Sequence, residues 1–87
     1  MAEIELYTTE RCSYCVRAKE LLAGHGVPFR EVHLARDDAP GRRDLVRRTG
    51  LTTMPQILVD GRVLGGWEDL ARLEADGRLL RALAGGA

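Results

Sequence analysis

The sequence has few cysteines, few aromatic side chains and no surplus of either charge. Its 87 residues include two cysteines, and aromatic residues make up 5%. Thirteen basic side chains balance thirteen acidic ones, so the net charge is zero. The two signs are interleaved, which excludes the broad basic field that binds nucleic acid. A long apolar run is also missing, so the sequence predicts no membrane-spanning helix.

The length and the first residues set the expected class of protein. A chain of 87 residues is expected to form one domain, here residues 1–87, with a small but workable hydrophobic core. The opening "MAEIEL" lacks the basic and apolar regions of a signal peptide, so we expect a cytoplasmic protein. Hydrophobic content of 45% and charged content of 30% are typical of a soluble globular domain.

The hydrophobic pattern of the first half alternates between strand and helix periods. "EIELYT" predicts a strand that buries Ile4 and Leu6 and turns Tyr7 to the opposite side, with the glutamates. A helix is predicted from about Ser13 to Ala23, and a second strand in "VPFREVHL". The next helix has Asp37 or Asp38 as its N-cap and Gly50 just after its last turn.

The second half predicts a hairpin and two short helices. Asp60-Gly61 between "QILV" and "RVL" is a strong hairpin signal. "WEDLARLEADG" and "RLLRALAG" then indicate the helices. The expected fold is therefore α/β with a four-stranded mixed sheet flanked by helices, in the order β-α-β-α-β-β-α(-α). The predicted core is Ile4, Leu6, Val16, Ala18, Leu21, Leu22, Phe29, Val32, Leu45, Ile57, Val59, Leu70 and Leu73.

Both cysteines lie in one Cys-x-x-Cys motif, Cys12 and Cys15. A structural disulfide across so short a loop removes little entropy from the unfolded chain. A zinc site needs two further ligands, and the spacing to His25 and His33 departs from the zinc-finger pattern. An inert, buried pair of cysteines would suit Cys15 but not Cys12, because Cys12 follows Arg11 in a polar loop. Redox chemistry is the interpretation that the motif favours.

The two cysteines are expected to have different roles. Cys12 stands where the first helix begins, and the N–H groups and dipole of a helix N-terminus stabilise a thiolate. Such positions lower a thiol pKa from about 8.5 to ~3.5–7.5, and only the thiolate attacks a disulfide. Cys15 lies three residues later on the same helical face. Cys12 is thus the predicted nucleophile and Cys15 the resolving thiol.

Three further motifs each have a structural and a functional interpretation. Met54-Pro55 stands at the mouth of a predicted strand and is either an ordinary trans bond or a cis one. Gly65-Gly66 is either a simple turn or a close approach to a ligand at the start of the next helix. "GRRDLVRR", with Arg42, Arg43, Arg47 and Arg48, is either a solvated helix face or a contact for carboxylate or phosphate.

Taken together, "YTTERCSYCVRAKELL", "TTMPQILVDGRVLGG" and "GGWEDL" resemble the glutaredoxin family in order and spacing, over residues 4–83. The resemblance implies a thioredoxin-like fold and glutathione-dependent exchange with small disulfides and glutathionylated proteins. It implies a cis proline at Pro55 and the same two roles for Cys12 and Cys15. By position, it assigns glutathione contacts to Tyr14, Thr53, Met54, Pro55, Trp67, Glu68 and Asp69.

The sequence departs from the usual family pattern at two positions near the cysteines. Thr9 stands where many members have a lysine, and Ser13 stands where proline is usual. The resemblance implies that members with serine there can hold a bridging [2Fe–2S] cluster. Its ligands here would be Cys12 from each of two chains and two glutathiones. Alternatively, Ser13 simply caps the helix. We expect a monomer, dimeric only with a cluster. A redoxin reduced by thioredoxin reductase is the rival within the same chemistry.

Overall fold

A computed structural model describes residues 2–85. The chain forms four strands and four helices in these residues, in the predicted order. The elements are β1 (Ile4–Thr8), α1 (Ser13–Gly24), β2 (Arg30–His33), α2 (Ala39–Thr49), β3 (Gln56–Val59), β4 (Arg62–Gly65), α3 (Trp67–Ala75) and α4 (Leu79–Leu83).

The four strands form one mixed sheet in the order β2-β1-β3-β4. β1 runs parallel to β2 and antiparallel to β3, and β3 and β4 form the predicted hairpin. Asp60 and Gly61 have φ angles of 51° and 80°, which are those of a type I′ turn. The predicted thioredoxin-like α/β fold is confirmed.

The pairing of β1 with β3 determines where a site can form. Tyr7, near the end of β1, lies opposite Gln56, the first residue of β3. The loop that leaves β1 and the loop that enters β3 therefore meet at one edge of the sheet. The first loop carries Cys12, and the second carries Met54 and Pro55.

The core lies on both faces of the sheet. The larger cluster packs α1, α3 and α4 against one face and contains Ile4, Leu6, Ala18, Leu22, Ile57, Val59, Leu70, Leu79 and Leu83. The smaller cluster joins Tyr7 and Leu58 to Leu45 of α2 on the other face. Tyr7 lies on the face opposite Ile4 and Leu6, as predicted, but it was left out of the predicted core. Its side chain is 5% exposed, because α2 covers that face too.

The predicted core is correct for most residues and wrong for Val16. Val16 is 50% exposed, because α1 buries Cys15, Ala18 and Leu22, and Val16 points away from that stripe. Four predicted core residues are only partly buried and pack at the edges of the clusters: Leu21, Phe29, Val32 and Leu73. The prediction omitted the buried side chains of Tyr7, Leu58, Leu79 and Leu83.

The ends of α2 follow the sequence signals closely. The Asp38 carboxylate accepts a hydrogen bond of 2.9 Å from the Gly41 N–H, and Gly50 takes the left-handed conformation that ends the helix. None of the helices within residues 2–85 has the length and apolarity needed to cross a membrane.

Candidate redox site

Cys12 and Cys15 form a disulfide at the N-terminus of α1. Cys12 is the N-cap, and its Sγ accepts a hydrogen bond of 3.1 Å from the Cys15 N–H. Cys12 is partly exposed, whereas Cys15 is only 2% exposed. The two cysteines thus differ in exposure to solvent. A thiolate at Cys12 would keep the same N–H donor.

The interpretation that Ser13 caps the helix was wrong. Cys12 has the extended N-cap conformation, with φ −124° and ψ 99°, and Ser13 is the first helical residue. The Ser13 side chain is exposed beside the disulfide. The first-turn N–H of α1 is therefore directed at sulfur rather than at a hydroxyl oxygen.

The loop before Cys12 is held by a residue that the sequence analysis did not single out. Arg36 Nε donates to the Glu10 carbonyl at 3.1 Å, and Arg36 Nη2 donates to the Arg11 carbonyl at 3.0 Å. Arg11 has a φ of 55°, an uncommon value for a residue with a side chain. These two hydrogen bonds hold the peptide groups on either side of that unusual conformation and so position Cys12.

The loop before β3 faces Cys12. The Met54–Pro55 bond is cis, as expected, and the Met54 carbonyl oxygen lies 3.9 Å from Cys12 Sγ. Gln56 is buried and fixes this loop, since its Nε2 donates to the carbonyls of Leu51 and Thr53, both at 3.1 Å. Gln56 was also missed, because a glutamine at the start of a strand carries no signal of its own.

The start of α3 forms the third side of the site. Gly65 has a φ of +144°, and Gly66 is so near Pro55 that a Cβ atom would lie 3.3 Å from the Pro55 carbonyl oxygen. Both positions therefore favour glycine. The Asp69 carboxylate accepts a hydrogen bond of 2.9 Å from the Gly66 N–H. The N–H groups of the first turn of α3 are directed away from the helix, where they can meet an anion.

An open groove of about 890 Å³ lies between these three segments. Every residue that the resemblance assigned to glutathione lines it: Tyr14, Thr53, Met54, Pro55, Trp67, Glu68 and Asp69. It is also lined by Arg17, Leu51, Val63, Leu64, Gly65 and Gly66. Arg17 follows Tyr14 by three residues on α1, a spacing that could have found it.

Aromatic side chains form one end of the groove. The rings of Tyr14 and Trp67 are stacked, with centroids 6.3 Å apart and planes at 23°. The Arg17 guanidinium lies 5.4 Å from the centre of the Tyr14 ring. This arrangement joins α1 to the start of α3 and offers flat apolar surface next to charge.

Comparison with known proteins gives the same result as this geometry. The glutaredoxin family model matches residues 4–64. Glutaredoxin 3 of Escherichia coli strain K12 is 46% identical over 79 residues, which cover 91% of this chain and 94% of that protein. The chain belongs to the glutaredoxin family. It is thus a glutathione-dependent thiol–disulfide oxidoreductase with a Cys-x-x-Cys pair.

Further relatives of this glutaredoxin chain agree over nearly its whole length. A glutaredoxin of Pseudomonas aeruginosa is 45% identical over 80 residues, covering 91% of this chain and 93% of that one. The solution structure of glutaredoxin from Brucella melitensis matches with a TM-score of 0.78 and 38% identity. That match covers 95% of this chain and 89% of the other.

Charges near Cys12 partly cancel in this family member. The backbone N–H of Arg36 bonds to the Glu10 carboxylate at 2.8 Å and lowers the pKa of Glu10. Glu10 therefore stays ionised close to Arg11 and His33, whose Nε2 lies 3.4 Å from it. Thr9, where a lysine is common in the family, is buried and adds no charge. The helix N-terminus is left as the main stabiliser of a Cys12 thiolate.

Proposed function

We propose that Cys12 is the nucleophile of a dithiol glutaredoxin with a Cys-Ser-Tyr-Cys active site, and that Cys15 is its resolving thiol. The observation that carries this is the position of Cys12. Cys12 is partly exposed, its sulfur caps α1 and lies beside the groove, and Cys15 is buried. The substrates are low-molecular-weight disulfides and mixed disulfides between proteins and glutathione.

The proposed reaction consists of two exchanges. The Cys12 thiolate attacks the glutathione sulfur of the mixed disulfide, which forms a Cys12–glutathione bond and releases the protein thiolate to take up a proton. A second glutathione thiolate then attacks that glutathione sulfur, so glutathione disulfide leaves and Cys12 is reduced. In the alternative second step Cys15 attacks Cys12, which releases glutathione and forms the Cys12–Cys15 disulfide.

Glutathione is proposed to lie in the groove in one orientation. Its peptide groups pair with the backbone around Thr53, Met54 and Pro55. Its γ-glutamyl carboxylate meets the N–H groups at the start of α3, formed by Trp67 and Glu68. Tyr14 flanks the bound thiol.

Asp69 has two functions in this proposal. Asp69 Oδ2 is already bonded to the Gly66 N–H. Asp69 Oδ1 is left for the γ-glutamyl ammonium, with only a 3.8 Å contact to the exposed Arg72. The same carboxylate would thus hold the turn at Gly66 and bind the ligand.

The roles of the two thiols are tested by a matched pair of variants. Cys12→Ser is expected to abolish turnover of a glutathionylated substrate with glutathione and glutathione reductase. Cys15→Ser should retain turnover, because external glutathione resolves the mixed disulfide. Iodoacetamide at mildly acidic pH should alkylate Cys12 of the reduced protein before Cys15. Faster alkylation of Cys15 would reverse the assignment.

The same assay separates the rival reductants. Electrons supplied by glutathione with glutathione reductase should support turnover, and thioredoxin reductase with NADPH should not. Efficient reduction by thioredoxin reductase alone would favour a redoxin that does not depend on glutathione. We retain a monomeric, cytoplasmic protein as the expectation.

A second candidate function is a bridging [2Fe–2S] cluster, and the exposed Ser13 beside Cys12 favours it. Residues 2–85 contain no group of three or more His, Cys, Asp or Glu side chains that could hold a metal. In this candidate function each of two chains would supply Cys12, and two glutathiones would complete the four thiolates. Anaerobic reconstitution with iron, sulfide and glutathione should give a brown dimer that bleaches to monomer. A colourless monomer would leave only the oxidoreductase.

A further inference from the structure

A second cavity, of about 550 Å³, lies on the other side of the loop before β3. Four arginines line it, Arg36, Arg42, Arg43 and Arg47, together with Thr52 and two small apolar side chains of α2. Among the described residues, no acidic side chain lines this arginine cavity. The fourth arginine of the "GRRDLVRR" motif has a different role, since Arg48 donates to the Tyr7 hydroxyl at 3.1 Å.

The arginines of the cavity have few partners of opposite charge. Within residues 2–85, no carboxylate lies within 4.0 Å of the guanidinium groups of Arg36, Arg42 or Arg43. The Arg47 guanidinium has only an exposed 3.9 Å pair with Asp44. Arg42 Nη1 is buried and makes no hydrogen bond to the described protein. A buried donor without a partner is unfavourable, so the cavity is suited to an incoming oxygen acceptor.

The arginine cavity adjoins both loops of the redox site. Thr52 lines the cavity, while the next residue, Thr53, lines the redox groove. Arg36 lines the cavity and also holds the backbone of Glu10 and Arg11, directly before Cys12. A chain that presents its disulfide to Cys12 can therefore continue over the 51–55 loop into the cavity.

We propose that the arginine cavity binds an acidic segment of the protein substrate and so selects disulfides flanked by Asp or Glu. Carboxylates match the fork of donors on each guanidinium, and the walls of Ala39 and Val46 suit the stems of peptide side chains. The cavity is far larger than one small oxyanion requires. This inference rests on the proposed function, because it takes Cys12 as the attacking thiol.

The test compares two glutathionylated peptides that differ only in charge. One has glutamates and the other has lysines on both sides of the modified cysteine, and hydroxyethyl disulfide serves as a substrate without a peptide. At low ionic strength the acidic peptide should have roughly tenfold higher kcat/KM, the size expected of one hydrogen bond to a charged group. The preference should shrink as salt is added.

Arg43→Glu should remove the preference, and so should the milder Arg42→Gln. Arg43 is exposed, so its replacement should leave the fold intact. Arg62→Glu makes the same change of charge on the exposed side of the β3–β4 hairpin and should keep the preference. Hydroxyethyl disulfide should be reduced equally by all four proteins. The salt dependence of the rates and the circular dichroism spectrum are measured for each variant.

The outcomes separate this inference from the proposed function. No reduction of hydroxyethyl disulfide by the wild-type protein would contradict the proposed function. Normal reduction with equal rates for the two peptides would overturn the acidic-segment site alone. A higher KM for free glutathione in Arg43→Glu would overturn it by showing that the cavity binds glutathione rather than the protein substrate. Inhibition by phosphate, without a preference between the peptides, would overturn it in favour of a small-anion site.

Discussion

Replacing Gly65 with alanine should damage both stability and glutathione use. Gly65 has a φ of +144°, a region that is essentially closed to other residues. An added Cβ would lie 2.9 Å from Asp69 Cβ and even closer to the Asp69 carboxylate. The alanine can therefore be accommodated only if Asp69 moves away from the Gly66 N–H.

Two costs add up in Gly65→Ala. Backbone strain of this kind costs about 1–3 kcal/mol. Loss of the hydrogen bond between Asp69 and Gly66 resembles the loss of a helix cap, about 0.5–2 kcal/mol. A total near 2–4 kcal/mol should lower the melting temperature by roughly 10–25 °C in a domain of this size. The KM for glutathione should rise as well, because α3 would start in a different place.

Gly24→Ala is the matched control. Gly24 ends α1, and a Cβ there would meet nothing within 4 Å. The same chemical change should therefore leave the protein unchanged or stabilise it by about 0.5–1 kcal/mol. Urea denaturation measures both variants, with glutathione kinetics on the folded protein. If Gly65→Ala were as stable as Gly24→Ala, the reasoning from φ and from Asp69 would be refuted.

Three other changes test the site and its supports. Thr8→Val removes the 2.7 Å hydrogen bond that lowers the pKa of Glu31, so it should cost stability at neutral pH. Urea titrations at several pH values would measure the difference in stability between wild type and variant. This difference should vanish as the pH falls below the ordinary Glu31 pKa of 4.5 and then through the lower pKa of the folded state. A difference that persists in acid would contradict this. Gln56→Leu should destabilise the protein by about 1–3 kcal/mol in urea titrations, because two loop carbonyls lose their donor, and an unchanged midpoint would refute that role. Trp67→Ala exposes one face of the Tyr14 ring and should raise the KM for glutathione several-fold with little effect on kcat, whereas a fall in kcat alone would place the ring elsewhere in the reaction.

Local signals in the sequence predicted the helices and strands well. Caps, turns and periodicity depend on neighbouring residues, so the Asp38 cap and the Asp60-Gly61 turn were found directly. The residues assigned to glutathione came from short motifs that resemble a known family, and the fold brings these residues to one groove. The position of Cys12 at the helix start was predicted from the change from strand to helix periodicity after the first strand.

The residues that hold the loops of the site in place could not be predicted in the same way. Arg36 and Gln56 act on backbone carbonyls of other segments, and no residue pattern marks such a carbonyl in advance. Tyr7 was left out of the predicted core because alternation assumes that one face of a strand is solvated. The helix that covers this face comes more than thirty residues later and is recognisable only from the folded chain.

The antiparallel pairing of β1 with β3 also affects how the chain is made. The paired residues lie about fifty positions apart, and closing so long a loop must precede any gain from the contacts it brings. During synthesis from the N-terminus, both cysteines leave the ribosome about forty residues before β3 does. For that interval the nascent chain carries two thiols without the groove that selects their partner, so its redox chemistry is governed by whatever disulfides surround it.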